Sequence, residues 1–586
     1  LLYGDWGTSK AYVIGAAFLA TGFSSLPTIL AVCALTGLVG YNYVIICRHF
    51  PDGGGVYSSA RSQSRVLAVL GSLLLVADLT VTASLSGWSA MAYFHAPREH
   101  IALATLVLIL FVGAINFFGP KHSGTMAVTL ALPTVVVVIL IVLLSLPHLT
   151  FSHLEAPHQA LRQNWISFVG VILALSGVEA IANLTGVMKL DPGATLEAPI
   201  VGRTAGKAIF LVAIEVVLGT AVLGWAMLSL SPALKSLLAQ RWDDMLTVLA
   251  EQYGTMTFNP VVGRAFGFLT ALIVGLLLLS AVNTAIVALI GLLYLLARDG
   301  EMPRGFARLN PYGVPWVPVI IATMLPLLVV AFSPDQISLM ELYAIGVVGA
   351  ITVNLGSCVF NKSLHLFWHE RLVMAATSLI LLAVELTLAK TKPNALFFVL
   401  CVLGLGFALR AYAQKRAGLR TLTVTEHVAA AIAPDGPMSR FKLNLSPGQA
   451  TMVAARGFTP VLKYALEEAR LRKGPLYVLY VKELAVSLPG SVASNDRPRW
   501  QADRQAAEIM YGMLELGHEY EVSVIPLYTI GENPAAIILD LAATLGVEFL
   551  MLGSPNRGSF VGLLKGNIVT EVAKALPDNI QLVIHG

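Results

Sequence analysis

The stretch Gly4-Asp-Trp-Gly-Thr-Ser-Lys-Ala-Tyr12 puts a carboxylate, two hydroxyls, an ammonium and a phenol at the head of the apolar run 13–20. An aspartate midway along a spanning helix costs about 2.5–3.5 kcal/mol on insertion scales, so Asp5 is expected to face a partner, a cavity or a path. Gly4 and Gly7 flank it, and glycine is the residue that lets a helix unwind and bare its carbonyls. An anion at a break in a helix suits a cation. A second stretch, Ala174-Leu-Ser-Gly-Val-Glu-Ala-Ile-Ala-Asn-Leu-Thr-Gly186, repeats the pattern, with Glu179 and Asn183 set between Gly177 and Gly186 in apolar surroundings.

The elements that must hold these groups are long and apolar. The chain of 586 residues is 56% hydrophobic and only 12% charged, against about 25% charged for soluble domains, and composition alone reads as an integral membrane protein. Runs of about 20 apolar residues predict roughly twelve spans, near 2–22, 26–47, 66–94, 101–118, 125–147, 165–188, 207–230, 262–297, 316–333, 337–360, 370–389 and 394–412. Breaks in the first and sixth spans point to an inverted-repeat secondary transporter that binds its substrate at the midplane. Basic residues follow the even spans: Arg48, Arg61 and Arg65 after the second, Lys189, Arg203 and Lys207 after the sixth, Arg298, Arg304 and Arg308 after the eighth. Both termini are therefore expected in the cytoplasm, with the protein multi-pass in the plasma (inner) membrane and the lipid bilayer as its surroundings. The first span opens abruptly and without methionine, so upstream residues are expected; no cleavable signal peptide is read there.

A net charge of +4 does not suggest a nucleic-acid partner. The four cysteines lie in or beside apolar runs without CxxC spacing, and neither disulfides nor a metal cluster are expected. The domains read as a transmembrane domain 1–412, a linker 413–448 and a soluble domain 449–586. In the last, short apolar runs at 451–455, 476–481, 522–528, 549–552 and 581–584 alternate with helical stretches at 460–473, 500–516 and 534–545. That alternation predicts a doubly wound α/β domain with a parallel sheet.

Two loops carry a family resemblance. Phe50-Pro-Asp-Gly-Gly-Gly-Val-Tyr57, and Ala297-Arg-Asp-Gly-Glu-Met-Pro-Arg-Gly-Phe-Ala-Arg-Leu-Asn310 followed by Gly313-Val-Pro315, resemble the loops after spans 2 and 8 of the amino acid–polyamine–organocation superfamily. That resemblance implies a LeuT-like 5+5 inverted repeat. Tyr3-Gly-Asp-Trp-Gly-Thr-Ser9 resembles the first span of Kup-type potassium transporters, and the spacing from Asp5 to Tyr12 that of the KimA type. Segments beginning at Asp78, Leu175 and Leu342 resemble the third, sixth and tenth spans of the KimA type. The resemblance implies a potassium site of Asp5, Tyr12, Thr82, Ser86, Ser176 and Tyr343, proton coupling at Glu179, and a homodimer. Potassium gives up its water only for several oxygens, and this set provides them. Thr82 and Ser86, at i and i+4, would alternatively bond backbone carbonyls, and Tyr12 and Tyr343 would alternatively be packing residues. Asp78 reads as a structural carboxylate at the mouth of the third span. Glu215, Glu341 and Glu385 have no evident role. Lys10 stands where the KimA pattern is apolar, as a possible modulator: its ammonium either reaches Asp5, projects sideways, or titrates as a coupling group.

The last domain resembles universal stress proteins. Their phosphate loop corresponds to Gly553-Ser-Pro-Asn556 and Gly566-Asn567, with Asn556 and Asn567 replacing a glycine and a hydroxyl. Adenine nucleotide or cyclic di-AMP at Gly553 and Gly566 is therefore a weaker expectation than dimerisation or scaffolding, and no resident cofactor is expected. The expected function is secondary import of potassium with protons. A cationic amine or amino acid permease, and a non-transporting membrane sensor, are the alternatives.

Overall fold

The computed structural model describes residues 8–51, 53, 55–61, 63–119, 123–156, 160–172, 185, 188–195, 199–417, 450–472, 474–484, 500–531, 533–545, 547–553, 568–576 and 580–585. Its helical part comprises α1 (Lys10–Thr21), α2 (Leu26–His49), α3 (Val56–Arg61), α4 (Arg65–Tyr93), α5 (Ile101–Phe117), α6 (Ser123–Ser145), α7 (Leu161–Gly170), α8 (Gly202–Ser229), α9 (Lys235–Gln240), α10 (Met245–Thr257), α11 (Pro260–Arg298), α12 (Trp316–Phe332), α13 (Gln336–Phe360), α14 (Trp368–Thr391) and α15 (Pro393–Ala417). Among the described residues, nine helices are long and apolar enough to cross a membrane. The apolar α12 adds 17 residues, and α11, at 39 residues, must tilt or project to fit a hydrocarbon layer of about 30 Å.

Polar residues at the helix starts satisfy amides that hydrocarbon would leave bare. Asn259 accepts from the amides of Val261 (3.0 Å) and Val262 (2.9 Å) to open α11, and Pro260 follows at the first helical position, where proline loses nothing. Asp335 caps α13 through Ser338 N at 2.9 Å. Asp191 reaches across a loop to accept from the backbone of Arg203 (2.7 Å) and Thr204 (2.8 Å) at the head of α8.

One buried apolar cluster runs through the helical part, from Ala11 and Val13 on α1 to Ala395 and Val399 on α15. At its centre α4 and α13 lie antiparallel. Trp88 donates to the Pro334 carbonyl at 3.0 Å and Gln336 donates to Ser89 Oγ at 3.1 Å. Further along the seam Gly346 meets Asp78, Gly349 meets Leu74, and Gly71 faces Val353.

After α15 the described chain resumes in a five-stranded sheet. Its strands are β1 (Ala450–Ala454), β2 (Leu476–Glu483), β3 (Val524–Gly531), β4 (Val547–Gly553) and β5 (Gln581–His585), all parallel in the order β3-β2-β1-β4-β5. Helices α16 (Pro460–Arg472) and α17 (Arg504–Glu519) bury Leu462, Leu466, Ile509 and Met513 on one face. On the other face α18 (Pro534–Thr544) and α19 (Ile568–Ala575) bury Ile538, Ala542 and Val572. This is the doubly wound arrangement that the alternating runs predict, with β3 beginning two residues after the run 522–528 opens and β4 two residues before the run 549–552. The sheet's carboxyl end reaches the helical part: Leu484 and Ile530 pack against the cluster of the bundle. Gly313, in the loop before α12, sits at φ +79°, where a side chain would be strained and its Cβ would overlap the Glu483 carbonyl.

Candidate functional site

The first helix brings Thr8, Ser9, Lys10 and Tyr12 into the interior, each with 1% or less of its surface exposed. Lys10 is the decisive one. Its ammonium forms an ion pair with Glu215 Oε1 on α8, 205 residues away in the chain. The structure gives Lys10 a partner on the eighth helix, while Asp5, the carboxylate weighed for it from sequence, lies outside the described residues. Glu215 thereby acquires the partner that sequence reading could not assign. Asp5, Ser176 and Glu179 lie outside the described residues.

The third-span groups sit on α4. Asp78 is not at the mouth of that span, as the sequence reading had it. It lies near the middle of a 29-residue helix that starts at Arg65, and only 1% of it is exposed. The span read from sequence, 66–94, differs from the helix by one residue at each end, so it was the place of Asp78 within the span, not the span's bounds, that was misjudged. Thr82 Oγ1 donates to Asp78 Oδ1 at 3.3 Å, so this hydroxyl serves a carboxylate rather than the backbone carbonyl that the alternative expected. Ser86 follows on the same face and is buried.

Tyr343 is carried by α13 and is 1% exposed. The seam with α4 pairs Asp78 with Gly346 and Ser89 with Gln336, and interpolation between these contacts puts Tyr343 at the level of Thr82. Three of the predicted oxygens, on Thr82, Ser86 and Tyr343, therefore come from two facing helices. The fourth described one, Tyr12, belongs to α1, which is tied to α4 where Tyr93 donates to the Ala11 carbonyl at 2.8 Å.

Charged clusters close the two ends of α4. At the Tyr93 end, α9 and α10 and the turn between them lie over α1, and Arg241 bridges Asp244 and Glu251, the latter at 2.6 Å. His95 approaches Asp244 at 3.3 Å and Arg98 approaches Asp243 at 3.6 Å. Burial, then the neighbouring Asp244 charge, push the Asp243 carboxyl above its ordinary range, with Arg98 opposing. The sequence reading assigned no element to 231–259; the mixed polar and apolar residues of α9 and α10 have no spanning pattern to reveal them. At the Arg65 end, Tyr57 donates to Asp299 at 2.9 Å, Arg61 pairs with the same carboxylate, and Arg410 of α15 binds Glu301 at 2.6 Å. The two loops that carry the superfamily resemblance are thus joined to each other.

Residues 4–431 match the model of the amino acid permease family. The chain belongs to that family. Its members are transporters, not enzymes, and this permease is a multi-pass membrane transporter of a small solute. Residues 459–579 match the universal stress protein family, which accounts for the parallel five-stranded domain. The permease is also distantly similar to the potassium transporter KimA of Bacillus subtilis (strain 168), at 26% identity over 384 residues. That alignment covers 60% of this chain and 58% of the relative, so the permease spans less than two thirds of the relative's length.

In the universal stress protein domain Gly553 ends β4, beside the topological switch point between β1 and β4 where such sheets bind ligands. Gly566 and the rest of the loop lie outside the described residues. Arg456, just after β1, binds Glu483 at 2.8 Å, and this carboxylate is buried. Of the three carboxylates left without a role by the sequence, Glu215, Glu341 and Glu385, Glu341 pairs with Lys392. Glu385, on α14, keeps Oε2 buried with no hydrogen-bond partner among the described residues.

Proposed function

We propose that this permease imports potassium together with protons. The observation that supports the reading is the α4–α13 seam, whose register brings Thr82, bonded to the buried Asp78 carboxylate, to the level of Tyr343. Hydroxyls and a carboxylate are the oxygen ligands that a dehydrated potassium ion needs. The first-span Asp5 is proposed to supply the charge, with Tyr12, Ser86 and Ser176 completing the set. Glu179 is proposed to carry the coupled proton. An interior-negative potential contributes about 2.3 kcal/mol per charge per 100 mV, and two cations entering together double it.

The proposed frame is a 5+5 inverted repeat of twelve spans within residues 1–412, with 413–448 as linker and 449–586 in the cytoplasm. Both termini face inward, as the basic loops favour, and two copies pair through their cytoplasmic domains in the inner membrane. The similarity to a potassium transporter supports the substrate; the family's own description keeps a cationic amine as the second reading, since Asp5 would attract an ammonium as well as potassium.

Uptake of a potassium tracer into proteoliposomes separates them. The parent is expected to take up tracer, the Asp5→Asn variant to lose at least about 90% of the rate, and unlabelled amines to leave uptake unchanged. A well-folded parent without tracer uptake ends the potassium reading, and strong competition by amines replaces it with the second.

A further inference from the structure

The turn between α9 and α10 rests on the first helix. A Cβ at Gly15 of α1 would overlap the Trp242 carbonyl, so turn and helix meet backbone to backbone. Tyr93, at the end of α4, fastens this seat: its hydroxyl donates to the Ala11 carbonyl at 2.8 Å and accepts from the Leu246 amide. Asp243 and Asp244 stand side by side in the turn, only 8% and 3% exposed.

Two adjacent buried carboxylates need cations, and these two are served unequally. Arg241 takes Asp244 with two nitrogens, Nε at 3.2 Å from Oδ1 and Nη2 on Oδ2, and takes Glu251 with the third at 2.6 Å. His95 adds its Nε2 at 3.3 Å from Asp244. Among the described residues, the cation in reach of Asp243 is Arg98, at 3.6 Å; its guanidinium is 71% exposed, and the same nitrogen donates to the Gln240 carbonyl at 2.5 Å. Beneath the turn, α1 carries no ionisable side chain from Val13 to Thr21, and α4 brings Tyr93. Three carboxylates thus share two guanidiniums and one imidazole, and the imidazole and the better-placed guanidinium both serve Asp244. Asp243 is the one left short.

We propose that the turn binds a proton at Asp243 each time it closes on α1: the neutral carboxyl is the form that fits the seat, and the carboxylate is the form that leaves it for water. Burial and the Asp244 charge hold this carboxyl above its ordinary range, against Arg98 and Arg241, in accord with that preference. A group with higher proton affinity in the closed state stabilises closure fully below its solvated value, about 3.9, and this contribution is lost as pH rises through the raised, closed-state value. In the topology proposed above the turn faces outward, so a proton arriving from outside favours a shut cover over the first helix. The inference rests on that reading for the side of proton entry, and it deepens the proton coupling by a site apart from the transport path.

Hydrogen exchange of the amides of residues 245–250, in the full chain in lipid nanodiscs from pH 4 to pH 8 and with intrinsic exchange divided out, tests this. The parent is compared at each pH with Asp243→Asn, whose amide copies the neutral carboxyl; the ratio of the two cancels the other titrating groups. Protection is expected to agree within about twofold at pH 4, with the parent at least about threefold less protected at pH 8. Arg98→Gln removes the cation that opposes protonation and is expected to deepen the deficit at pH 8 by a further threefold or so. A merely structural carboxylate behaves oppositely, since asparagine then loses an ion pair and is the less protected form at pH 8. A ratio that is flat with pH, a parent better protected than Asp243→Asn at pH 8, or Arg98→Gln without effect there overturns the inference. Exchange reads closure without flux: the expected ratio in a chain that takes up no potassium ends the potassium reading and leaves this site standing, and transport with a flat ratio does the reverse.

Discussion

Gly346 lies so close to Asp78 that a Cβ at position 346 would stand 2.8 Å from the Asp78 amide nitrogen and 3.0 Å from its Cα. Both atoms are backbone and neither can turn aside. Alanine at 346 must therefore part α4 from α13 at Asp78, one turn from the level of Thr82 and Tyr343. Overpacking of this kind costs about 1–3 kcal/mol. Gly346→Ala is expected to lower the thermal midpoint in detergent and to reduce uptake. Gly404→Ala, where nothing lies within 4 Å, is the control and should change neither.

Tyr93→Phe keeps the ring and removes the hydrogen bond that ties α4 to the Ala11 carbonyl, together with the acceptor that the Leu246 amide uses. The lost bond is worth about 0.5–1.5 kcal/mol, and the buried carbonyl it leaves adds to the cost. The variant is expected to fold, to melt a few degrees lower, and to show a weakened first helix as faster hydrogen exchange in α1. Unchanged exchange there would show that this tie does not anchor the helix.

Glu385 presents the opposite case. Its buried Oε2 has no hydrogen-bond partner among the described residues, and its other oxygen would lie 3.2 Å from a Cβ at Gly349. A buried polar atom without a partner costs about 1–3 kcal/mol, so Glu385→Leu is expected to raise the thermal midpoint while keeping more than half of the uptake rate. A stabilised variant that no longer transports would instead make this carboxylate part of the ion path.

Asp503 gives the universal stress protein domain a pH dependence. Burial pushes its carboxyl up, but the Lys482 hydrogen bond and charge, the Ala506 amide and the Tyr528 hydroxyl outweigh burial and hold it below the ordinary value. A carboxylate whose folded value is depressed contributes stability that is complete above its unfolded value, about 3.9, and is lost as pH falls through the folded one. The difference in urea stability between the parent and Asp503→Asn, read by hydrogen exchange in α17, is expected to be constant from pH 8 to about pH 5. It should shrink below about pH 4. Asparagine keeps the cap on Gln505 and Ala506, so the difference reports the Lys482 pair.

What was legible in the sequence was whatever repeats at short range. The runs at 476–481 and 549–552 fall inside β2 and β4, and the stretch 460–473 differs from α16 by one residue, because local alternation and turn residues carry that information. The long spans were equally plain, since hydrocarbon demands unbroken apolar length. The pairing of Lys10 with Glu215 was not, as the partners lie 205 residues apart and no local spacing joins them. Nor was the packing of Asp78 against Gly346, which joins two helices far apart in the chain. Helix α19 escaped because eight residues beside a glycine-rich loop carry too little pattern.

The Gly313 contact with the Glu483 carbonyl has a practical consequence. The loop before α12 lies between two helices of the membrane bundle, so a shift of that loop bears directly on the end of β2. A fluorophore on an exposed site of the soluble domain, such as Tyr511, would then serve as an external gauge of the buried machinery, reading each turn of the transporter without a label inside the membrane.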